Sequence, residues 1–374
     1  MATQDDDAAI PVISDLVTLI VTTSPTPSAP STDLISDILG SFRLHCPSLL
    51  SCRVVVVFDT YDRIGDCMRL KKGQVTPEGA EAVEQYKANV KDLVLGAWYP
   101  ETEPASHVFA GAQSLAEYGS PRLGDNHVAL STRRTADGRV TFIEPAARLG
   151  FGLAVRSALR AAETPYVWVQ QHDWPLVRDI PLRSLVGVMQ ASEDDGDAPP
   201  VRYVCLPAVR MLSYATSAHV MPFPALRALT ERLKGDFLPP HTSASDDNNG
   251  DGDDAASAVP LTPLFFWHDK PHVASAAHYL ARVFPSRLAI ARGDFIEDSI
   301  GQRARTQMKQ GNWAKWACWL YYPGGGREVC LQHRHGRRWR GVEAEARTRA
   351  LFEGRKVAGR RRTNHPSSSP TAAA

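Results

Sequence analysis

The sequence predicts an α/β protein whose mostly parallel sheet carries helices on both faces, and three features of the chain support this class. Apolar runs rich in β-branched residues alternate with amphipathic runs of helical spacing, and turn-forming residues separate the two. The run Arg53–Phe58 is apolar from its second residue and is followed by Asp59. A continuous apolar run of this length is typical of a parallel strand buried on both faces. Hydrophobic residues make up 43% of the 374 residues and charged residues 22%, as in ordinary globular proteins. We expect a single domain with insertions over residues 11–340.

The first half of the chain predicts strands and helices in alternation. A β-branched run over residues 13–22 predicts the first strand, and 53–58 predicts the second. Between them, apolar residues recur with helical spacing over residues 34–42, behind Ser31, a residue type favoured at N-caps. Thr76-Pro77 is typical of a helix start, and the following helix is expected to run to about residue 95.

The middle of the chain continues the alternation and predicts where a ligand binds. The expected elements are a helix at 150–163, a strand at 166–169, a loop at 170–175, a helix at 181–190, a strand at 201–206 and a helix at 224–233. Ligands of open α/β sheets bind outside the carboxyl ends of the strands. We therefore expect a site near Thr23, Asp59 and the loop that follows the strand at 166–169.

Composition excludes several classes of protein. The net charge of +1 predicts no nucleic-acid partner, and the six cysteines form no C-x-x-C pair, as expected for a reduced cytoplasmic protein. No signal peptide and no apolar run of about 20 residues is present, so no membrane anchor is expected. Polar low-complexity composition predicts disorder over residues 1–10, in the acidic insertion 243–258 and in the basic tail 354–374.

One segment resembles a known family. An Ala/Leu-rich helix containing Val155-Arg156 leads through Ala161-Ala162 and Thr164 into Tyr166-Val167-Trp168-Val169-Gln170 and then the triplet Gln171-His172-Asp173. This order resembles the central segment of GT-A-fold glycosyltransferases, especially the family-2-like enzymes, in which Asp-x-Asp follows the strand. Gln171 stands in place of their first Asp, whereas Asp173 keeps the second carboxylate.

The resemblance implies residues that hold a nucleotide-sugar donor and a metal ion. It implies that Thr23, Asp59, Arg156, Gln171, His172 and Asp173 bind the donor. Mn²⁺ or Mg²⁺ would neutralise the departing diphosphate, with Asp173 and a late histidine, His333 or His335, as ligands. Arg337 would also hold the diphosphate. A zinc site with Cys330 is the rival interpretation of the two histidines, but it lacks a fourth ligand.

A second motif implies the catalytic base. The run Asp294 to Gln302 contains Glu297-Asp298, and family-2-like enzymes place such a Glu-Asp pair beside the acceptor. Asp298 would deprotonate the acceptor hydroxyl, and Glu297 would orient the site. The alternative interpretation is a helix N-terminus at which both carboxylates serve as caps. Aromatic and polar residues suited to sugar rings predict the acceptor side at Trp267, His268, Asp269 and Trp319.

Together these features predict a glycosyltransferase that moves a sugar from a nucleotide-diphosphate donor to an acceptor hydroxyl, metal-assisted and inverting. Two alternatives stay open: a nucleotidyltransferase on a similar fold, and a catalytically inactive relative that binds nucleotide or sugar. The loop 23–30 contains neither Gly nor Lys, which disfavours the nucleotidyltransferase.

Overall fold

The computed structural model describes residues 12–124, 126–239, 257–347 and 350. The predictions of disorder for residues 1–10 and 354–374 lie outside the described residues, as does nearly all of the predicted insertion 243–258. The remainder forms one extensive hydrophobic core that runs from Ile13 to Leu331.

The described ranges contain an eleven-stranded sheet and a separate two-stranded ribbon. The strands of the large sheet are β1 (Val17–Thr23), β2 (Arg53–Phe58), β5 (Phe109–Glu117), β6 (His127–Thr135), β7 (Val140–Pro145), β8 (Tyr166–Gln171), β9 (Tyr203–Cys205), β10 (Gly235–Phe237), β11 (Val259–Pro263), β12 (His272–Ser275) and β13 (Cys318–Tyr321). The ribbon pairs β3 (Arg63–Ile64) with β4 (Gln74–Val75).

The sheet has a parallel centre and mixed flanks, in which most pairs are antiparallel but β9 and β13 pair in parallel. Its order is β10-β11-β13-β9-β12-β8-β1-β2-β7-β6-β5, and the run β8-β1-β2-β7 is parallel. All seven residues of β1 are buried, so both faces of the centre are covered. On one side β12 runs antiparallel between β8 and β9, and on the other β5 and β6 form a hairpin. The predicted α/β class is confirmed.

The helices are α1 (Ile13–Leu16), α2 (Asp33–His45), α3 (Pro77–Trp98), α4 (Phe151–Ala161), α5 (Leu182–Asp194), α6 (Pro224–Leu233), α7 (Ala276–His278), α8 (Gln302–Gln307) and α9 (Pro323–Gly326). The predicted helix at Thr76-Pro77 is confirmed, since the Thr76 hydroxyl accepts a hydrogen bond from Gly79 N–H at 3.1 Å. None of the helices in the described ranges combines the length and apolar composition that a bilayer crossing requires.

The first predicted strand was wrong at its start. Residues 13–16 form the short helix α1, and β1 begins only at Val17. Ser14 and Asp15 interrupt the apolar pattern, and the continuous β-branched run begins after them. The strand therefore covers only the unbroken part of the predicted segment.

The topology creates a ligand crevice at the centre of the sheet. The strand β1 pairs with β2 on one side and with β8 on the other, so the chain order reverses at β1. The loops that leave the carboxyl ends of β1 and β8 consequently diverge to opposite sides and leave an opening between them. Thr23, Asp59 and His172 lie at the ends of β1, β2 and β8.

Candidate functional site

A cleft of about 1040 Å³ lies at these strand ends. Its wall carries eight lysines and arginines but only four carboxylates, although the whole chain is nearly neutral. The cations are Arg69, Lys71, Lys72, Arg148, Lys270, Arg337, Arg338 and Arg340, and the carboxylates are Asp59, Asp173, Asp269 and Glu297. The surplus of positive charge suits an anionic ligand.

His172 ties the turn after β8 to the end of β1. Its Nδ1 lies 2.8 Å from the Thr23 hydroxyl and accepts from Ser24 N–H at 3.3 Å. The Thr23 hydroxyl also lies 2.6 Å from the Tyr86 hydroxyl of α3. Burial lowers the pKa of His172, so the ring is neutral at pH 7 with Nδ1 as an acceptor. Three elements thus fix the floor of the cleft.

Asp173 anchors the C-terminal strap, which we define as residues 331–339. Its Oδ2 accepts from His333 Nε2 at 3.1 Å and from Gly336 N–H at 2.8 Å, and its carbonyl accepts from Arg334 N–H at 2.8 Å. The His333 ring stacks on Trp174 with centroids 4.3 Å apart. Gly336 has no room for a side chain, because a Cβ would lie 2.6 Å from His172 Nε2.

These contacts keep Asp173 ionised. Burial alone would raise its pKa, but the hydrogen bond from His333, the neighbouring imidazoles and the Gly336 N–H outweigh burial and lower the pKa to about 2. A depressed pKa means that the carboxylate stabilises the fold above its unfolded pKa of about 4, and that this contribution disappears as pH falls towards 2.

Asp173→Asn should therefore destabilise the protein in a pH-dependent way. We expect a loss of about 2 kcal/mol in the free energy of unfolding at pH 6, shrinking by about half at pH 3. Urea denaturation of the wild type and the variant at the two pH values measures this loss. The control is Asp92→Asn, at an exposed position on α3. A difference that is constant with pH would show that Asp173 is not an ionised anchor.

Asp59 is held by backbone donors. Its Oδ1 accepts from Leu149 N–H at 2.6 Å and Thr60 N–H at 3.0 Å, and its Oδ2 accepts from Gly150 N–H at 3.1 Å. Burial raises its pKa, against the lowering effect of these donors. Asp59 lines the cleft, and its carboxylate fixes the loop before α4.

Asp269 and Glu297 form a reciprocal pair on the cleft wall. The Glu297 carboxylate accepts from Asp269 N–H at 3.4 Å, and the Asp269 carboxylate accepts from Glu297 N–H at 3.2 Å. Burial raises the pKa of Asp269 well above its usual range, and the charge of Glu297 adds to the effect. The His268 contact at 3.5 Å and the nearby Lys270 instead lower the pKa of Glu297 to about 2. The pKa of Asp269 is thus raised and that of Glu297 lowered, and such a separation divides acid and base roles.

The structure brings most of the predicted residues to one place. Thr23, Asp59, Gln171, His172, Asp173, Asp269, Glu297, His333 and His335 all line the cleft. His268 contacts Glu297 just behind the wall. Gln171 Nε2 donates to the Asp269 carbonyl at 2.7 Å and so joins the turn after β8 to the wall that carries Glu297.

Besides His268, four predicted residues do not line the cleft. Arg156 is buried on α4 and donates to the Glu117 carbonyl of β5, because its position on the helix directs it to the hairpin. Trp267 and Trp319 are fully buried core residues, and Trp319 donates to the Pro200 carbonyl. Asp298 is exposed on the π-helical turn Glu297–Gly301, outside the cleft wall.

The predicted metal ligands do not fit a divalent cation. Asp173 and His333 bond to each other, and the His335 ring packs against His333 with centroids 4.2 Å apart. The neutral amide of Gln171 replaces a carboxylate, and its nitrogen already binds the Asp269 carbonyl. Within the described part of the chain, no group of three or more His, Cys, Asp or Glu residues is placed to hold a metal ion.

Sequence reasoning missed most of the basic wall. Arg69, Lys71 and Lys72 come from the loop between β3 and β4, and Arg148 precedes α4. The adjacent Lys71 and Lys72 after the second predicted strand were the available signal, since that loop leaves a strand end next to Asp59. No sequence pattern around Arg148 or Lys270 predicts that they line the cleft, because only the tertiary fold brings them there.

Comparison with known proteins found distant structural matches. No family model matches the sequence, and no curated protein matches it. The chain is similar to a mannosyltransferase from Pyrobaculum calidifontis, PcManGT, in complex with GDP-Man and Mn²⁺, with a TM-score of 0.35 and 13% identity over 83% of this chain and 58% of that one. It is also similar to CMP:2-keto-3-deoxy-manno-octonic acid synthetase complexed with CTP, with a TM-score of 0.31 and 10% identity over 91% and 99%.

Proposed function

We propose that the protein is a glycosyltransferase that moves a sugar from a nucleotide-diphosphate donor to an acceptor hydroxyl in this cleft. The observation that carries the proposal is the position of the basic cleft at the point where the strand order reverses, with an ionised carboxylate on its wall. Such crevices hold nucleotides in open α/β sheets. The positive wall suits a diphosphate, and Glu297 supplies a proton acceptor.

The chemical step needs a base near the acceptor and positive charge near the leaving group. The acceptor oxygen bonds to the anomeric carbon, the bond from that carbon to the diphosphate oxygen breaks, and the nucleoside diphosphate leaves with the electron pair. We assign the base to Glu297, because it lines the cleft whereas Asp298 does not. A carboxylate of low pKa is a weak base, but the hydroxyl becomes strongly acidic as its oxygen bonds to carbon, so the proton moves late. Attack from the face opposite the leaving diphosphate would invert the anomeric centre.

A binding panel tests this proposal. UDP-, GDP-, CMP- and dTDP-sugars are titrated calorimetrically into the full chain, and the sugar nucleotides that bind are incubated with hydroxylated acceptors while released nucleotide is measured. Binding of a diphosphate donor with release of nucleoside diphosphate supports the glycosyltransferase. Turnover of a nucleoside triphosphate with a sugar phosphate, releasing pyrophosphate, would identify a nucleotidyltransferase. Binding without any turnover would favour a catalytically inactive relative. No binding would refute the glycosyltransferase, the nucleotidyltransferase and the inactive relative alike.

A further inference from the structure

We infer that this cleft holds a diphosphate with the guanidinium groups of Arg148 and Arg337 in place of a divalent cation. The inference rests on the proposed function and names how the same site binds the leaving group. Four observations on the described residues carry it: the state of the carboxylates, the position of the strap, the lack of partners for the cations, and the mutual repulsion of the two arginines.

Protein donors hold Asp59 and Asp173, two of the four carboxylates of the cleft, and burial withdraws a third, Asp269. Both oxygens of Asp59 accept backbone N–H groups, and Asp173 Oδ2 accepts from His333 and Gly336. Asp269 is 3% exposed, and its Oδ2 has no hydrogen-bond partner among the described residues. Mg²⁺ and Mn²⁺ prefer several hard oxygen ligands that face a common point. This wall does not offer them.

The carboxylate of Asp173 instead positions an arginine. Its Oδ2 holds Gly336 N–H at 2.8 Å, and Arg337 is the next residue. Gly336 is needed for this approach, because a Cβ there would meet His172 Nε2 at 2.6 Å and Asp173 Oδ2 at 3.1 Å. The Arg337 guanidinium lies over the Phe295 ring, 5.0 Å from its centroid. The strap thus brings a planar cation to the turn after β8.

The two arginines have few direct ion pairs with carboxylates. Among the described residues, Arg148 has one ion pair, with Asp62 at 4.0 Å, and Asp62 is shared with Arg292 at 2.6 Å. Arg337 has no ion pair within 4.0 Å in the same ranges. Lys270, which also lines the cleft, contacts the neutral His268 ring at 3.3 Å. A guanidinium without a carboxylate partner keeps its donors for a bidentate phosphate contact.

The two guanidinium groups also repel each other. Burial and then the charge of Arg148 lower the pKa of Arg337, against the smaller raising effects of Asp173, Asp59 and Asp298, so the two guanidinium groups lie close enough to interact. An anion bound between them would remove this repulsion and replace lost hydration. A diphosphate, with two adjacent phosphoryl groups, offers each guanidinium an acceptor pair.

Titration of inorganic pyrophosphate tests the inference without any nucleotide. Full-length protein is titrated in EDTA and again with Mn²⁺, for the wild type, Arg337→Gln, Arg148→Gln and the control Arg227→Gln, an exposed residue of α6. We expect binding in EDTA that weakens about tenfold or more in each cleft variant and is unchanged in the control. Gly336→Ala should weaken it as well, because the added methyl group displaces the strap.

Three results would overturn the inference: binding that requires Mn²⁺, binding in EDTA that both cleft variants retain, or no pyrophosphate binding under either condition. The outcome is separable from the proposed function. Pyrophosphate binding without recognition of any nucleotide sugar would support the arginine site and refute the proposed glycosyltransferase. Mn²⁺-dependent turnover of a nucleotide sugar would support the glycosyltransferase and refute the arginine site. Circular dichroism of each variant checks that it is folded.

Discussion

Glu297→Gln should lower kcat by about 100-fold to 10,000-fold with the donor and acceptor that the wild type uses, the range that general acid–base catalysis contributes. The amide keeps a hydrogen-bond acceptor for Asp269 N–H but no longer takes a proton. KM for the donor should change little, because the change removes proton transfer rather than phosphate contacts. Steady-state measurement of released nucleoside diphosphate checks both values.

The matched control is Asp298→Asn, the adjacent carboxylate that the sequence motif favoured. Asp298 is exposed and outside the cleft wall, so we expect its kcat to fall by less than about threefold. Because the pKa of Glu297 is about 2, the wild-type rate should show no acid limb from this residue between pH 5 and 8. A large loss in Asp298→Asn with near-normal turnover in Glu297→Gln would reverse our assignment of the base.

Gly150→Ala should destabilise the fold more than any other single change proposed here. Gly150 has φ of +80° and ψ of 164°, a conformation that non-glycine residues essentially avoid. A Cβ would also lie 2.4 Å from the Gly293 Cα. The backbone is locked at this point by the Gly293 N–H, which donates to the Leu149 carbonyl at 2.7 Å. We expect a loss of about 3 kcal/mol or more in the free energy of unfolding, measured by urea denaturation.

Substitutions at two further glycines provide a comparison for this loss in the free energy of unfolding. A Cβ at Gly293 would meet only the flexible Arg148 side chain, at 3.5 Å, but the residue has a φ of +91°. Gly293→Ala should therefore lower the free energy of unfolding by about 1–2 kcal/mol. Gly96→Ala, in the last turn of α3 with open space around it, should stabilise the protein by up to about 1 kcal/mol. Equal stability of Gly150→Ala and Gly96→Ala would contradict the close approach of the loops at residues 150 and 293.

The central strands and the helices between them could be predicted because their signals are local. The strands β2 and β8 are continuous apolar runs, and Thr76 and Pro77 mark the start of α3. The hairpin β5–β6 was missed, because β5 is mostly exposed and rich in small residues, so its apolar pattern is weak.

Part of the candidate site could be predicted, because the sequence signals that mark strand ends are local. Strand ends located Thr23, Asp59 and the turn at 171–173, since parallel strands bring their carboxyl ends to one edge. Which carboxylate faces the cleft depends on a side chain's direction within the π-helical turn Glu297–Gly301, which sequence spacing does not encode. The hydrogen bond between Asp173 and Gly336 spans 163 residues and was equally invisible in the sequence.

The most direct test of the account is a crystal structure of the protein with the nucleoside diphosphate that binds best in the calorimetric panel. The account predicts the diphosphate at the turn after β8, between Arg337 of the strap and Arg148, with Glu297 on the open side where an acceptor would enter. A nucleotide bound elsewhere on the surface, or a diphosphate turned away from both arginines, would contradict it.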